Sequence, residues 1–456
     1  MKTKNNPKTR FNKKEFPSDL KLDTFGCQRR SKRIERHTLR QCYTKIITEG
    51  LLGSFEILPA EIKYHVLRFL SVEELSILSI VSKAMRDLVL KYMLSPVRSE
   101  QFCPVKHTSI GIAGRTCCRW TDVSNHFKSL GLLVKRATCL HPTKERLKIM
   151  DKFVSQLAYF TDPISHDALS CYGSFLFRML RGWEEKECYR AFTYVSDTHS
   201  FYKKLLPVLS NEPGSLQEQE LLVRCFYRCV FLDRCENCSE FGVWLSFILR
   251  TLPIVYQARL LFILFGPLSP TTEGINWNAM SEETLGNHSY GKTSDLVDLA
   301  LAIKSLFKHG TSTDDDVVSI LQELTCCPSE WSVESTAHLL MLCGETISYK
   351  VLGSKAVNGR MNELGSIITA FAVVFWHEEL SIHWVVKLVF ELAANLGSTR
   401  EVGSFFTSIM HTFSDSLMTL HTKGSDAEVQ AMLKAQAEML KEFMLISVRA
   451  QGNKVY

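Results

Sequence analysis

The chain contains 456 residues, of which 45% are hydrophobic and 22% charged. This length is enough for about two to four structural units, and the apolar content excludes a protein that is disordered over most of its length. Residues 1–50 hold 14 Lys and Arg against 5 Asp and Glu, a net charge of +9, whereas the remainder holds 40 against 43. Because the body is slightly acidic, we expect no direct nucleic-acid binding.

Residues 1–50 are poor in large aliphatic side chains and lack apolar periodicity, so we expect a disordered basic N-terminal segment. This segment contains a compact basic cluster that is similar to nuclear import signals, at Arg29, Arg30, Lys32 and Arg33. The alternative is a solvated charged tail, since short basic runs are common. We expect the protein in the nucleus, the cytoplasm or both, with the nucleus favoured.

Membrane insertion and secretion are not expected. The chain begins without an apolar signal sequence, so its 15 cysteines are expected to be free thiols in a reducing compartment. The two most apolar stretches, 241–268 and 367–376, lack the roughly 20 uninterrupted apolar residues that a membrane-spanning helix needs.

Residues 51–95 show dense apolar periodicity that predicts three short helices. Pro59 suits the first turn of a helix, and Ile62 and Val66 follow it on one face. Ser71 and Glu74 form a capping box, so a second helix should start directly after the first. Three short helices cannot bury all of these apolar groups among themselves, and a partner surface must cover the rest.

The order of motifs in this segment resembles the F-box. Leu-Pro stands at 58–59, Phe-Leu-Ser at 69–71 and Leu-x-x-Leu-Ser-x-Val at 75–81. The resemblance implies a helical domain that docks onto a Skp-type adaptor and, through it, onto the cullin and RING subunits of a ubiquitin ligase. By position it implies adaptor contacts for Leu58, Pro59, Ile62, Val66, Leu67, Leu70, Leu75, Leu78, Val81 and Met85. The sequence departs from many F-boxes at Ser82 and Met85, where Cys and Trp are common.

The rest of the chain is predicted to be helical. Residues 96–142 hold prolines, glycines and scattered cysteines, and we interpret them as an irregular connector. From 143 to 450 one helical pattern follows another, with capping signatures at Ser215, Ser398 and Ser425, each followed three residues later by Glu. The sequence therefore predicts an all-α protein: a three-helix F-box, then a large helical domain that is either solenoid-like or an irregular multi-helix bundle. No fixed-period repeat identifies a named repeat family.

Two other motifs point to different chemistry. Gly286 to Thr293, with Lys292, matches the pattern of a phosphate-binding loop, but the preceding residues 273–285 do not predict the buried strand that such a loop requires. Cys225, Cys229, Cys235 and Cys238 fall within fourteen residues, and zinc would need all four to converge. The helical pattern around the first two favours core packing, and we predict no metal site and no cofactor.

The sequence thus predicts a non-catalytic substrate-recognition subunit of an SCF-type ubiquitin ligase. The F-box would bind the adaptor, and residues 143–450 would bind an unidentified protein substrate. One alternative is a helical scaffold that binds the adaptor without recruiting a cullin. A more remote alternative is a P-loop nucleotide hydrolase.

Overall fold

The computed structural model of the chain describes residues 51–95, 102–103, 120–157, 165–198, 200–270, 274–281, 289–310 and 313–452. Regular structure in these ranges is helical, and the β pairing within them is one isolated bridge between Leu268 and Ile275. The all-α prediction is confirmed. The N-terminal segment with its basic cluster lies outside the described residues.

The chain divides into two compact units, Met1–His65 and Val66–Tyr456. The described part of the first unit is a 3-10 turn, Gly53–Ile57, followed by the start of the first α-helix. The turn is closed by the Leu58 N–H, which donates to the carbonyl of Phe55 at 3.2 Å.

The helices follow one another with short connections along most of the chain. They are α1 (Ala60–Leu67), α2 (Val72–Val81), α3 (Lys83–Met93), α4 (Trp120–Ala137), α5 (Thr143–Val154), α6 (His166–Leu180), α7 (Glu185–Thr198), α8 (Phe201–Ser210), α9 (Gln217–Tyr227), α10 (Cys238–Leu249), α11 (Ile254–Phe265), α12 (Ser289–His309), α13 (Asp314–Leu324), α14 (Val333–Cys343), α15 (Glu345–Val357), α16 (Met361–His377), α17 (His383–Ala394), α18 (Thr399–Lys423) and α19 (Asp426–Gly452). A single π-helical turn, Arg228–Leu232, continues α9.

Within the second unit the helices stack in two layers. In one layer α2 packs on α4 and α4 on α6, and the π-helical turn joins this end to the series α10, α12, α14, α16 and α18. In the other layer α9, α11, α13, α15, α17 and α19 pack in the same alternating way. Apart from the step from α6 to α10, which the π-helical turn bridges, neighbours in each layer lie two places apart along the chain. This is the arrangement of a helical solenoid.

Small residues set the close spacing of helices in the first layer. A Cβ on Gly173 of α6 would collide with the carbonyl oxygen of Cys229 in the π-helical turn. A Cβ on Gly242 of α10 would come within 2.5 Å of the carbonyl oxygen of Ser305 in α12. Backbones can approach this closely only where no side chain stands between them.

A chain of aromatic rings connects α3 to the start of the solenoid. Tyr92 of α3 lies 6.1 Å from Phe102, which lies 5.4 Å from Phe153 of α5, which in turn lies 6.3 Å from Phe175 of α6, all measured between ring centroids. All four side chains are buried. Aromatic pairs at these separations stabilise beyond the area that they bury, so α3 is fixed to the helices that follow it.

The predicted irregular connector is wrong for its second half, because Trp120–Ala137 forms the 18-residue helix α4. The helical pattern is present in the sequence, since five residues at helical spacing are fully buried: Phe127, Leu130, Leu133, Val134 and Ala137. The prolines at 104 and 142 lie outside this helix and drew the prediction toward irregular structure.

The predicted cap at Ser215 is also wrong, since α9 begins at Gln217 and the Ser215 hydroxyl donates to the carbonyl of Glu212.

Candidate functional site

The second helix of the predicted F-box begins and ends at serine caps. Ser71 accepts from the Glu74 N–H at 3.2 Å while the Ser71 N–H donates to the Glu74 carboxylate at 2.7 Å, which confirms the predicted capping box. These hydrogen bonds lower the pKa of Glu74. At the other end Ser82 terminates α2 and caps α3, accepting from the Met85 N–H at 3.1 Å. With ten residues between them, the two caps keep α2 short and fix its orientation.

The inner face of α2 consists of small and medium side chains, since Leu75, Ser76 and Ser79 are fully buried. Ser76 accepts a hydrogen bond from the guanidinium of Arg136 on α4 at 3.0 Å. The Ser79 hydroxyl donates to the carbonyl of Ser76 at 2.7 Å. Because these polar groups find partners, the small face allows α4 to pack against α2 without the cost of unsatisfied buried hydroxyls.

Glu73, in the first turn of α2, adds a second polar interaction between α2 and α4. The Ser129 hydroxyl on α4 hydrogen-bonds to Glu73 and lowers the pKa of this carboxyl, with a smaller contribution from nearby His126. Hydrogen bonding of this kind favours the ionised form.

The outer face of α2 carries the large aliphatic side chains. Ile77, Ile80 and Val81 are 57%, 52% and 67% exposed, and their spacing of three and four residues makes them one stripe. Phe69 and Val66, which precede the helix, are 76% and 38% exposed. We call these five residues the outer apolar face. The distribution of side chains on α2 is the reverse of that on an ordinary surface helix, in which the large apolar side chains face the core.

In the first unit the described residues also expose apolar side chains. Ile57 is 42% exposed and Ile62 is 47% exposed, and Pro59 is exposed as well. Leu58, which precedes this proline, is half-buried.

The structure divides the residues predicted to contact an adaptor into three groups. Leu67 and Leu75 are 1% and 0% exposed, so they belong to the core and cannot contact a partner in this structure. The half-buried residues are Leu58, Leu70, Leu78 and Met85. The exposed residues are Pro59, Ile62, Val66 and Val81.

Three exposed residues were missing from the predicted contacts: Phe69, Ile77 and Ile80. Phe69 belongs to the Phe-Leu-Ser motif between α1 and α2, where no helical spacing indicates whether a side chain is buried or exposed. The signal for Ile77 and Ile80 was available, since they lie opposite Leu75 and Ser79 on a helical wheel. Knowing which side of the helix faced the core was the missing step.

The four cysteines considered as zinc ligands do not form a site. Burial raises the pKa of Cys229 to about 12 and also raises that of Cys235, whose Sγ lies 3.2 Å from the carbonyl of Phe231. Zinc binds the thiolate, which burial of this kind disfavours. Among the residues that the structure describes, no group of three or more metal-binding side chains occurs.

The phosphate-loop motif lies partly outside the described residues, which resume at Ser289. Gly291, Lys292 and Thr293 fall within α12. The described segment before the motif, 274–281, consists of turns and the isolated bridge at Ile275. A phosphate-binding loop follows a buried strand of a sheet, and the described segment supplies none.

Within the described ranges, no helix combines the length and apolar character needed to cross a membrane.

Comparison with known families finds two matching regions in the chain. The F-box domain family matches residues 55–94, and a family described as FBXO47, ARM repeats matches residues 198–448. The chain is an F-box protein, in which the F-box precedes a helical-repeat domain.

Its relatives identify the family within that class. F-box only protein 47 from Mus musculus is 35% identical over 416 residues, which cover 88% of this chain and 90% of the relative. F-box only protein 47 from Homo sapiens is 33% identical over 439 residues, which cover 91% and 95%. The chain belongs to the F-box only protein 47 family. No solved structure matches it.

Proposed function

We propose that this protein is the substrate-recognition subunit of an SCF-type ubiquitin ligase. Its F-box binds a Skp-type adaptor, which connects it to the cullin and RING subunits, and its helical-repeat domain binds a target protein. The family membership supports the adaptor-binding role, because F-boxes are adaptor-docking domains.

The outer apolar face is the observation that carries this proposal. Five large apolar side chains are exposed together over a segment of sixteen residues, Val66 to Val81. Exposed apolar side chains grouped on one surface mark protein interaction sites, and Ile77, Ile80 and Val81 form such a group on α2. The inner side of the same helix is fixed to α4 by burial and hydrogen bonds, so the outer face is presented on a rigid support, which lowers the entropic cost of binding.

The proposed role in the reaction is positional. A receptor of this kind holds a lysine of the target near a ubiquitin-charged enzyme and raises its effective concentration, while the bond chemistry takes place on other subunits. The stacking of α2 on α4 and of α4 on α6 makes the docking helix the first member of the repeat stack. Adaptor docking would therefore also set the orientation of the target-binding surface.

The test replaces Phe69 and Ile80 by alanine together and measures binding of the full-length chain to an immobilised Skp-type adaptor. Affinity should fall more than tenfold, because each side chain is more than half exposed and would be buried by the adaptor. Val357→Ala is the matched control, since this side chain is 82% exposed on α15, far along the chain from the F-box. Unchanged adaptor binding in the double variant would refute the assignment of this face.

Recovery of the cullin separates the ligase from the scaffold. Cullin recovered with the adaptor on the wild-type chain, and lost in the double variant, supports the ligase. Adaptor recovered without cullin supports the helical scaffold instead.

A further inference from the structure

The last described helix, α19, carries apolar side chains on two faces. Its inner face packs on α16, α17 and α18 and buries Met432, Ala435 and Met439. The opposite face exposes a second series at spacings of three and four residues, which places its members on one side of the helix. We call this series the α19 stripe: Leu433, Ala437, Leu440, Met444 and Val448.

The α19 stripe is unusual for its place in the solenoid. The three helices before α19 in its layer, α13, α15 and α17, are described along their whole length and together expose one large apolar side chain, Val357. In α19 the side chains of Met444 and Val448 alone are 67% and 68% exposed. The outer face of a terminal repeat is expected to be polar, because no further repeat covers it. An apolar face at this end of the stack therefore indicates an interaction surface.

The side chains of the stripe are complementary in size to those of a second, antiparallel α19. A two-fold axis through the middle of the stripe, between residues 438 and 439, places Leu433 of one copy opposite Met444 of the other. The same axis places Ala437 opposite Leu440, so a small side chain faces a large one on both sides of the axis. An interface between identical subunits related by a two-fold axis requires a surface that is complementary to itself in this way.

The charges beside the stripe are also complementary to themselves. Glu438 and Lys441 lie on one flank, 3.1 Å apart within the chain, with side chains 45% and 65% exposed. The two-fold axis brings Lys441 of one copy within one helical turn of Glu438 of the other, measured along the helix axis. Lys434 on the same flank is engaged within its own chain, since its ammonium lies 5.9 Å from the centre of the Trp376 ring. A flank with both signs of charge fits a second copy better than a partner of one charge.

We propose that the α19 stripe is a homodimer interface, in which α19 pairs antiparallel with α19 of a second copy of this chain. The stripe covers about 22 Å of helix. This is a modest interface beside the roughly 800 Å² per partner of a standard complex, so we expect a reversible dimer with a micromolar Kd. The inference does not rest on the proposed ligase function, because it is tested on the chain without an adaptor.

The test is sedimentation velocity of the full-length chain over about 0.5 to 100 μM, a range that brackets a micromolar Kd. The wild type should shift from monomer to dimer as its concentration rises. Met444→Glu combined with Val448→Glu should raise the Kd at least about a hundredfold, because the carboxylates would be buried against an apolar surface. Met418→Glu is the matched control, since this side chain is 65% exposed on α18 outside the stripe, and it should dimerise like the wild type.

Exchange of the flanking charges tests the antiparallel pairing. Glu438→Lys should weaken the dimer about tenfold, because lysines then face each other across the interface. Adding Lys441→Glu to the same chain should restore the wild-type Kd, and failure to restore it would refute the pairing. Circular dichroism and thermal unfolding of each variant at the lowest concentration show that the monomer is folded.

Two results would overturn the proposal as a whole. A wild-type chain that stays monomeric up to the highest concentration has its stripe covered by another segment of the chain or by a different partner. A dimer that forms equally well with Met444→Glu and Val448→Glu uses another surface.

Discussion

Leu75 and Ile77 allow folding and partner binding to be separated within one helix. They are aliphatic residues two positions apart on α2, but Leu75 is fully buried and Ile77 is 57% exposed. Leu75→Ala removes core contacts and should lower the free energy of unfolding by about 2 to 5 kcal/mol. Ile77→Ala removes few contacts within the chain and should change it by less than about 0.5 kcal/mol.

The effect on adaptor binding should be different for Ile77. Burying a whole Ile side chain is worth about 1.5 to 3 kcal/mol, and roughly half of this one remains exposed, so alanine should cost about 1 to 1.5 kcal/mol of binding. This corresponds to a roughly five- to tenfold rise in Kd. Binding of the folded Leu75→Ala variant should stay near the wild-type value, because its side chain does not reach the surface.

Denaturant unfolding of the full-length chain measures the first effect, and titration onto immobilised adaptor measures the second. The folded fraction of each variant at the binding temperature comes from its own unfolding curve. If Ile77→Ala binds the adaptor with the wild-type Kd, the outer apolar face does not contact the adaptor. If Leu75→Ala unfolds like the wild type, the inner and outer faces of α2 have been assigned incorrectly.

Three further predictions concern packing, pH and localisation. Gly173→Ala should destabilise the fold by about 1 to 3 kcal/mol, because the new methyl group meets the carbonyl of Cys229. In the matched variant Gly353→Ala nothing lies within 4 Å, and thermal unfolding should show a gain of about 0.5 to 1 kcal/mol. Glu73→Gln should lower the Tm at pH 7, because Ser129 holds the pKa of this carboxyl below its ordinary value of about 4.5 in the folded state. The difference in Tm between the wild type and the variant should shrink as the pH falls through the folded pKa, where the wild type also loses the charge. When alanine replaces Arg29, Arg30, Lys32 and Arg33, a fluorescent fusion of the chain should lose its nuclear enrichment. An unchanged distribution in this variant would argue against an import signal.

The position of α2 has a consequence for how the two functions of the chain would be coupled. Its inner face packs on α4 and its C-terminal neighbour α3 is fixed by the aromatic chain from Tyr92 to Phe175. A rigid connection of this kind holds α2 in a defined orientation relative to α4 and α6. If the proposed function is right, substitutions that loosen this connection, such as truncation of Phe102, would leave the outer apolar face intact and disturb its orientation relative to the target-binding helices.

Local patterns in the sequence were sufficient to predict the class of fold and the start of α2. Helical spacing predicted an all-α chain, and the Ser71 and Glu74 capping box located the beginning of α2. Such signals depend on neighbours within one or two helical turns, so they can be recognised without knowledge of the rest of the chain. The helix α4 was missed although its apolar spacing is regular, because the prolines on either side and the glycines within 96–142 suggested irregular structure.

Only the tertiary structure decided which apolar residues are core and which are surface. Leu75 and Ile77 have similar hydrophobicity and helix propensity, and the sequence of α2 does not distinguish them. Their difference arises because α4, which follows tens of residues later, packs against one side of α2. Local propensity depends on nearby residues, whereas burial and electrostatic crowding depend on contacts between residues far apart in the chain, and these exist only after folding.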